Sequence, residues 1–138
     1  MPVPKMTSKI ENRIKDGVKK YSRILKKMKD GGVTMESETS RVVLDILTEV
    51  LGYDPYEDIT SELKIKRNQC DYAIKDGKDY HKLIEVKPVG HKLNSGDLDQ
   101  VTVYAMDHGT DWAILTNGEE WHIYKLVRKG KGLSLIHI

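Results

Sequence analysis

Residues 70–87 read CDYAIKDGKDYHKLIEVK, and they decide the fold. Two runs that suit strands, Cys70 to Lys75 and Lys82 to Lys87, flank Asp76-Gly77, a dipeptide that favours a tight turn. The segment predicts a β-hairpin. Within its second strand, Leu83-Ile84-Glu85-Val86-Lys87 is a buried run with a carboxylate and an ammonium set into it. Side chains alternate along a strand, so Glu85 and Lys87 share one face while Ile84 and Val86 take the other. With the turn centred near residue 78, Asp71 falls opposite Glu85. Asp71, Glu85 and Lys87 are therefore expected to converge on one side of two neighbouring strands.

Such a set suits a hard divalent cation beside a phosphate. Mg²⁺ typically takes one or two carboxylates and keeps several waters. It polarises a phosphodiester and acidifies a bound water. Asp71 and Glu85 are the expected metal ligands, with the backbone carbonyl of Val86 as a further one. Lys87 is expected to position or deprotonate the attacking water, or to steady the charge that develops. The bland alternative is a Glu-x-Lys pair on a solvated strand face, common in a chain that is 32% charged.

Upstream, Leu63 to Arg67 alternates apolar and charged residues, as an edge strand does. A helix is expected from about Glu36 to Leu51, ending at Gly52, with a buried stripe of Val43, Ile46, Leu47 and Val50. A first helix is expected from Lys9 to Lys29, with Ser8 and Glu11 as a capping box and Gly31-Gly32 as its stop. Its apolar positions Ile14, Val18, Tyr21, Leu25 and Met28 form a narrow stripe. That stripe fits packing on this domain or on a second copy in a homodimer.

Downstream, Ser95 is the expected cap of a helix from Asp97 to Asp107. Asp111 to Thr116 and Trp121 to Leu126 read as strands around the Asn117-Gly118 turn, with Trp112 and Trp121 as packing residues. The order is α-α-β-β-β-α-β-β. The helix between the third and fourth strands permits a crossover, so the fold class is α/β, a mixed sheet flanked by helices. The expected organisation is a basic amphipathic helix over residues 1–33, a domain over 34–127 and an irregular tail over 128–138. The ending Leu135-Ile136-His137-Ile138 is unusual and suggests a fragment or an added tail.

Residues 1–33 hold ten Lys/Arg against three Asp/Glu, while the remainder holds thirteen against eighteen. A basic helix of this kind can follow a nucleic-acid backbone through Lys19, Lys20, Arg23, Lys26 and Lys27. A solvated helix face is the competing reading. The lone Cys70 excludes an intrachain disulfide and a cysteine-based zinc site. His81, His91, His108, His122 and His137 show no metal-ligand spacing. Neither a membrane-length apolar run nor a leader's apolar core follows the basic N-terminus, so a cytoplasmic protein without membrane association is expected. Gln100 and Tyr104 sit four apart, on one face of the third helix. Gln100 could orient water or phosphate there, and Tyr104 could stack or hydrogen-bond.

Taken in order, Asp71, Glu85-Val86-Lys87 and Gln100-x-x-x-Tyr104 resemble the PD-(D/E)xK nuclease superfamily. The closer resemblance is to the N-terminal nuclease domain of type I restriction enzyme R subunits and their stand-alone relatives. Thr39-Ser40-Arg41 with Leu51-Gly52-Tyr53, Asp71-Tyr72-Ala73-Ile74, Gln100 to Ala105, and Leu115-Thr116-Asn117-Gly118 with Trp121 and Tyr124 carry it, over roughly residues 36–126. The resemblance implies a restriction-endonuclease-like fold and a Mg²⁺-dependent DNA endonuclease in which Mn²⁺ substitutes. It also implies an acid on the opening helix that helps hold metal or water. Glu38 is the choice and Glu36 the rival; both precede Thr39, and spacing leaves the two open. Arg41 either pairs with an acidic neighbour or contacts phosphate. Cys70 stands where the superfamily's name has proline. No Gly-x-x-x-x-Gly-Lys-Ser/Thr loop is present, so the chain lacks the ATP-driven motor of a full R subunit. It is expected to be a nuclease domain alone or a piece of something longer, with DNA, a second copy or a larger restriction complex as its partners. A non-catalytic DNA-binding or assembly module, and a junction-resolvase or repair-type nuclease, are the competing readings.

Overall fold

The computed structural model describes residues 5–65, 68–77, 79–129 and 132–137. Helix α1 spans Ser8–Asp30. Its N-cap is Thr7, whose hydroxyl accepts from the Ile10 N–H at 3.2 Å; Ser8, the expected cap, is already helical. Gly31 closes the helix as expected. Helix α2 spans Glu36–Asp45 and runs on into a π turn at Ile46–Val50, where one long regular helix was expected. The Thr48 hydroxyl bonds back to the carbonyls of Leu44 and Asp45 at 3.1 and 3.2 Å, the kind of side-chain intrusion that accompanies a distorted turn.

The strands are β1 (Ile59–Ile65), β2 (Asn68–Asp76), β3 (Asp79–Val86), β4 (Trp112–Thr116), β5 (Trp121–Lys129) and β6 (Gly132–His137), with α3 (Ser95–His108) between β3 and β4. Strand β1 begins four residues before the expected Leu63, and Arg67 lies outside the described residues. Helix α3 is capped by Asn94, not Ser95: Asn94 Oδ1 accepts from Asp97 N at 3.1 Å and Asp97 Oδ2 from Asn94 N at 3.0 Å. The residues expected to form an irregular tail contain strand β6 instead. It pairs with β5 from Tyr124↔His137 to Lys129↔Gly132.

The six strands lie in sequence order. Among the described residues β3 and β4 are the one parallel pair, because α3 carries the chain back across the sheet, and the other neighbouring pairs are antiparallel. The edge position expected for the first strand is the one β1 takes. Each sheet face is covered. Leu83, Ala73 and Ala113 pack with Val101, Tyr104 and Ala105 of α3. On the other face, Ile74, Ile84, Val86 and Ile114 pack with Val43 and Leu47 of α2 and its π turn. Tyr21 and Leu25 of α1 are buried against Val42 and Val50, with Ile14 and Met28 half-buried beside them. The apolar stripe of α1 thus packs on its own domain, leaving only Val18 exposed. Among the described residues no helix is long and apolar enough to cross a membrane.

Candidate metal centre

Strands β2 and β3 pair with Ala73 opposite Leu83 and Tyr72 opposite Ile84, and the next step of that register sets Asp71 opposite Glu85. Nearer the turn the pairing shifts: Ile74 faces Lys82 but Lys75 faces Tyr80, leaving His81 as the extra residue of a bulge. The bulge takes up one residue, which is why counting from residue 78 locates the pair correctly.

A third carboxylate joins them from α2. Ligand oxygens of Glu36, Asp71 and Glu85 all lie within 4.8 Å of one another. Glu38, the favoured helix acid, is not in this group; its carboxylate holds the Arg41 guanidinium at 2.7 Å. Residues two apart on a helix point about 200° apart, so only one of the two glutamates can face the sheet. Glu36, the first residue of α2, is that one.

Asp71 and Glu85 each have a polar neighbour that fixes one oxygen. Asp71 Oδ2 accepts from the Val86 N–H at 2.7 Å. Glu85 is 4% exposed; its Oε1 lies 3.6 Å from Lys87 Nζ, while its buried Oε2 has no hydrogen-bond partner among the described residues. Lys87 Nζ donates to Gln100 Oε1 at 2.9 Å, and Gln100 Nε2 donates to the Tyr104 hydroxyl at 3.0 Å. Tyr104 is buried under the sheet, so of the two expected roles, stacking or hydrogen bonding, the geometry places it in a hydrogen bond that supports Gln100.

Burial, then the Asp71 and Glu36 carboxylates, pushes the Glu85 carboxyl up to about 8, against the pull of Lys87. Asp71 is also raised, chiefly by burial, with the Val86 N–H and Lys87 opposing. Glu36 is raised by burial and then by Asp71. Crowded carboxylates that resist ionisation, one with an orphaned buried oxygen, lack positive charge. The donor set is all oxygen, which fits a hard divalent cation.

A cavity of about 430 Å³ lined by Glu36, Ser40, Arg41, Glu62, Asp71 and Tyr72 opens on the cluster. A larger one of about 520 Å³ lies at the other end of β3, lined by Asp79, Tyr80 and His81 among others, away from the three carboxylates. One residue near the site escaped sequence reasoning. His91 Nε2 sits 2.8 Å from Asp97 Oδ2, and its carbonyl accepts from Asn117 Nδ2 at 2.8 Å. Histidine spacing gave no sign of it; the Asn94-x-x-Asp97 capping pattern was the available clue. On α1, Lys20 reaches Glu49 at 3.3 Å and lies over the Tyr21 ring, whereas Lys19, Arg23, Lys26 and Lys27 stay exposed, outside the cluster.

A mixed sheet with one parallel pair, helices on both faces and acids at the end of its central hairpin defines a restriction-endonuclease-like α/β domain. The family described as type I restriction enzyme R protein N terminus matches residues 35–137, and the chain belongs to it. The match runs through β6, beyond the expected span, and leaves α1 outside. A protein of Methanocaldococcus jannaschii, assigned as a type II restriction enzyme and methyltransferase, is 32% identical over 125 residues. That similarity covers 85% of this chain and 10% of the relative, so the chain spans about a tenth of its length. No solved structure matches the chain.

Proposed function

We propose that this domain is a DNA endonuclease whose Glu36, Asp71 and Glu85 hold a divalent cation, Mg²⁺ with Mn²⁺ as its substitute. The observation that carries the reading is the convergence of three carboxylates beside a tethered lysine, with Glu85 Oε2 buried and unpartnered. Membership of the restriction enzyme R-protein family supports DNA as the substrate. When bound, the cation would polarise the scissile phosphate and acidify a water.

The chain's own residues prepare the rest. The Val86 N–H fixes one Asp71 oxygen and leaves the other for the cation; the Val86 carbonyl is a further candidate ligand. Gln100 holds the Lys87 ammonium next to Glu85, where it orients the attacking water and steadies charge gathering on the phosphate. Tyr104 keeps Gln100 in place from within the core. Arg41, held by Glu38 at the mouth of the cavity, is available to a neighbouring phosphate. Glu38 acts through Arg41 in this scheme and takes no direct part in metal binding. Because the chain matches only a tenth of its large relative, a larger restriction complex is its proposed setting.

Supercoiled plasmid with Mg²⁺ or Mn²⁺ tests the reading. The parent is expected to nick it in a metal-dependent manner, and Glu85→Ala to abolish nicking. Equal cutting by Glu85→Ala would overturn the site. No cutting by the parent would favour a non-catalytic DNA-binding module of the same fold.

A further inference from the structure

Lys19, Arg23, Lys26 and Lys27 are all exposed, and among the described residues none has an ion-pair or hydrogen-bond partner. A helix turns about 100° per residue, so these four fall in an arc of about 100°. Tyr21 and Leu25, the buried residues of α1, lie on the opposite side. Of the other cations of the helix, Lys15 pairs with Glu11 at 3.0 Å, Lys20 with Glu49 and Lys29 with Glu119 at 2.9 Å, Arg13 Nε donates to the Val50 carbonyl at 3.1 Å, and Lys9 stands in the first turn, well before the row. What remains is a row of four exposed cations about 12 Å long at 1.5 Å per residue, with Asp16 and Asp30 on the same side of the helix one turn beyond its two ends. A duplex presents one phosphate charge per about 1.7 Å of axis, so several phosphates fall within that length.

We propose that this outward stripe of α1 is a sequence-independent track for the DNA backbone, supplying affinity while the carboxylate cluster supplies chemistry. It rests on the reading of DNA as substrate, but not on cleavage. Charge complementarity selects a polyanion. A membrane-surface helix needs its apolar face free, and the apolar face of α1 is spent on Val42, Val50 and Val89. The track also leads toward the site. Lys29, at the end of α1, packs against Gly90, three residues beyond Lys87. Lys29 and His91 line one cavity of about 400 Å³. The stripe lies outside residues 35–137, the span over which the family matches.

The test is fluorescence anisotropy of a labelled duplex titrated with the whole chain in EDTA, at about 50 to 200 mM salt. The parent is compared with a variant carrying Lys19→Gln, Arg23→Gln, Lys26→Gln and Lys27→Gln. A control carries Lys64→Gln, Lys75→Gln, Lys82→Gln and Lys125→Gln, which removes the same charge elsewhere. The stripe variant is expected to lose about 100-fold or more in affinity and to flatten the log K against log salt slope by roughly 3 to 4. The control is expected to keep most of both. Unchanged slope in the stripe variant, an equal loss in the control, or preference for anionic vesicles over DNA would overturn the proposal. If the fourfold variant misfolds by circular dichroism, the pairs Lys19→Gln/Arg23→Gln and Lys26→Gln/Lys27→Gln each carry half the expected slope change. Because EDTA suppresses cutting, binding without nuclease activity would retain the track and sink the nuclease reading. Metal-dependent cutting with an unchanged salt slope would do the reverse.

Discussion

Glu36 and Glu38 stand two residues apart and have opposite fates: one completes an acidic cluster, the other holds an arginine at the surface. Their neighbour Glu85 sets the pH behaviour. An unfolded glutamate loses its proton near 4.5, whereas burial holds the Glu85 proton to about 8. The folded state therefore binds more protons in that interval, and the stability this group contributes is full below about 4.5 and lost as pH rises to about 8. Asp71 and Glu36 are raised and act in the same direction. In chelator, Tm is expected to fall between about pH 5 and 8, and Glu85→Gln to flatten that fall; a parent curve flat across the interval would contradict it. Gly118 makes a separate demand. Its φ is +92°, and a Cβ there would lie 2.7 Å from Leu25 Cδ2. Gly118→Ala is expected to cost about 2 kcal/mol in urea unfolding, from backbone strain and the clash with α1 together. That Asp71, Glu85 and Lys87 lie together was legible at this scale because strand alternation and the hairpin register fix a shared face. The choice of Glu36 over Glu38 was not, since it depends on how α2 is rotated about its axis, which tertiary packing sets.

Among the elements, α1 and the π turn meet at Gly17. A Cβ on Gly17 would lie 2.4 Å from Val50 Cγ2, so the Val50 side chain occupies the space a side chain at position 17 would need. Alanine usually improves a helix by about 1 kcal/mol over glycine. Here Gly17→Ala is expected to destabilise by roughly 1 to 3 kcal/mol, and Val50→Ala to relieve part of the clash in the double variant. Additive losses in that cycle would show that the contact is looser than described. The sequence pattern marked every helix and the first five strands within a few residues. It did not mark the π turn, whose extra residue leaves the apolar stripe through Leu47 and Val50 intact. Nor did it mark β6, which pairs with β5 at the sheet edge.

At the scale of the whole molecule, the mixed sheet with its parallel β3–β4 pair follows from the crossover helix, so the fold class was legible before any contact was known, whereas the strand order was not. Assembly at the site was legible only in part: three carboxylates come from α2, β2 and β3, and the lysine is steadied from α3. A cation that binds only the folded arrangement adds stability by mass action. Mn²⁺ at about 100 times its Kd is expected to add about 2.7 kcal/mol, with the gain abolished in Asp71→Asn/Glu85→Gln. An equal gain in that variant would place the ion elsewhere.

The most direct test of the three-carboxylate centre is the single-turnover nicking rate of supercoiled plasmid in Mg²⁺ for the parent, Glu36→Gln and Glu38→Gln. The expected result is a fall of about 100-fold or more for Glu36→Gln and little change in maximal rate for Glu38→Gln at saturating enzyme. A large loss confined to Glu38→Gln, with Glu36→Gln as fast as the parent, would contradict it.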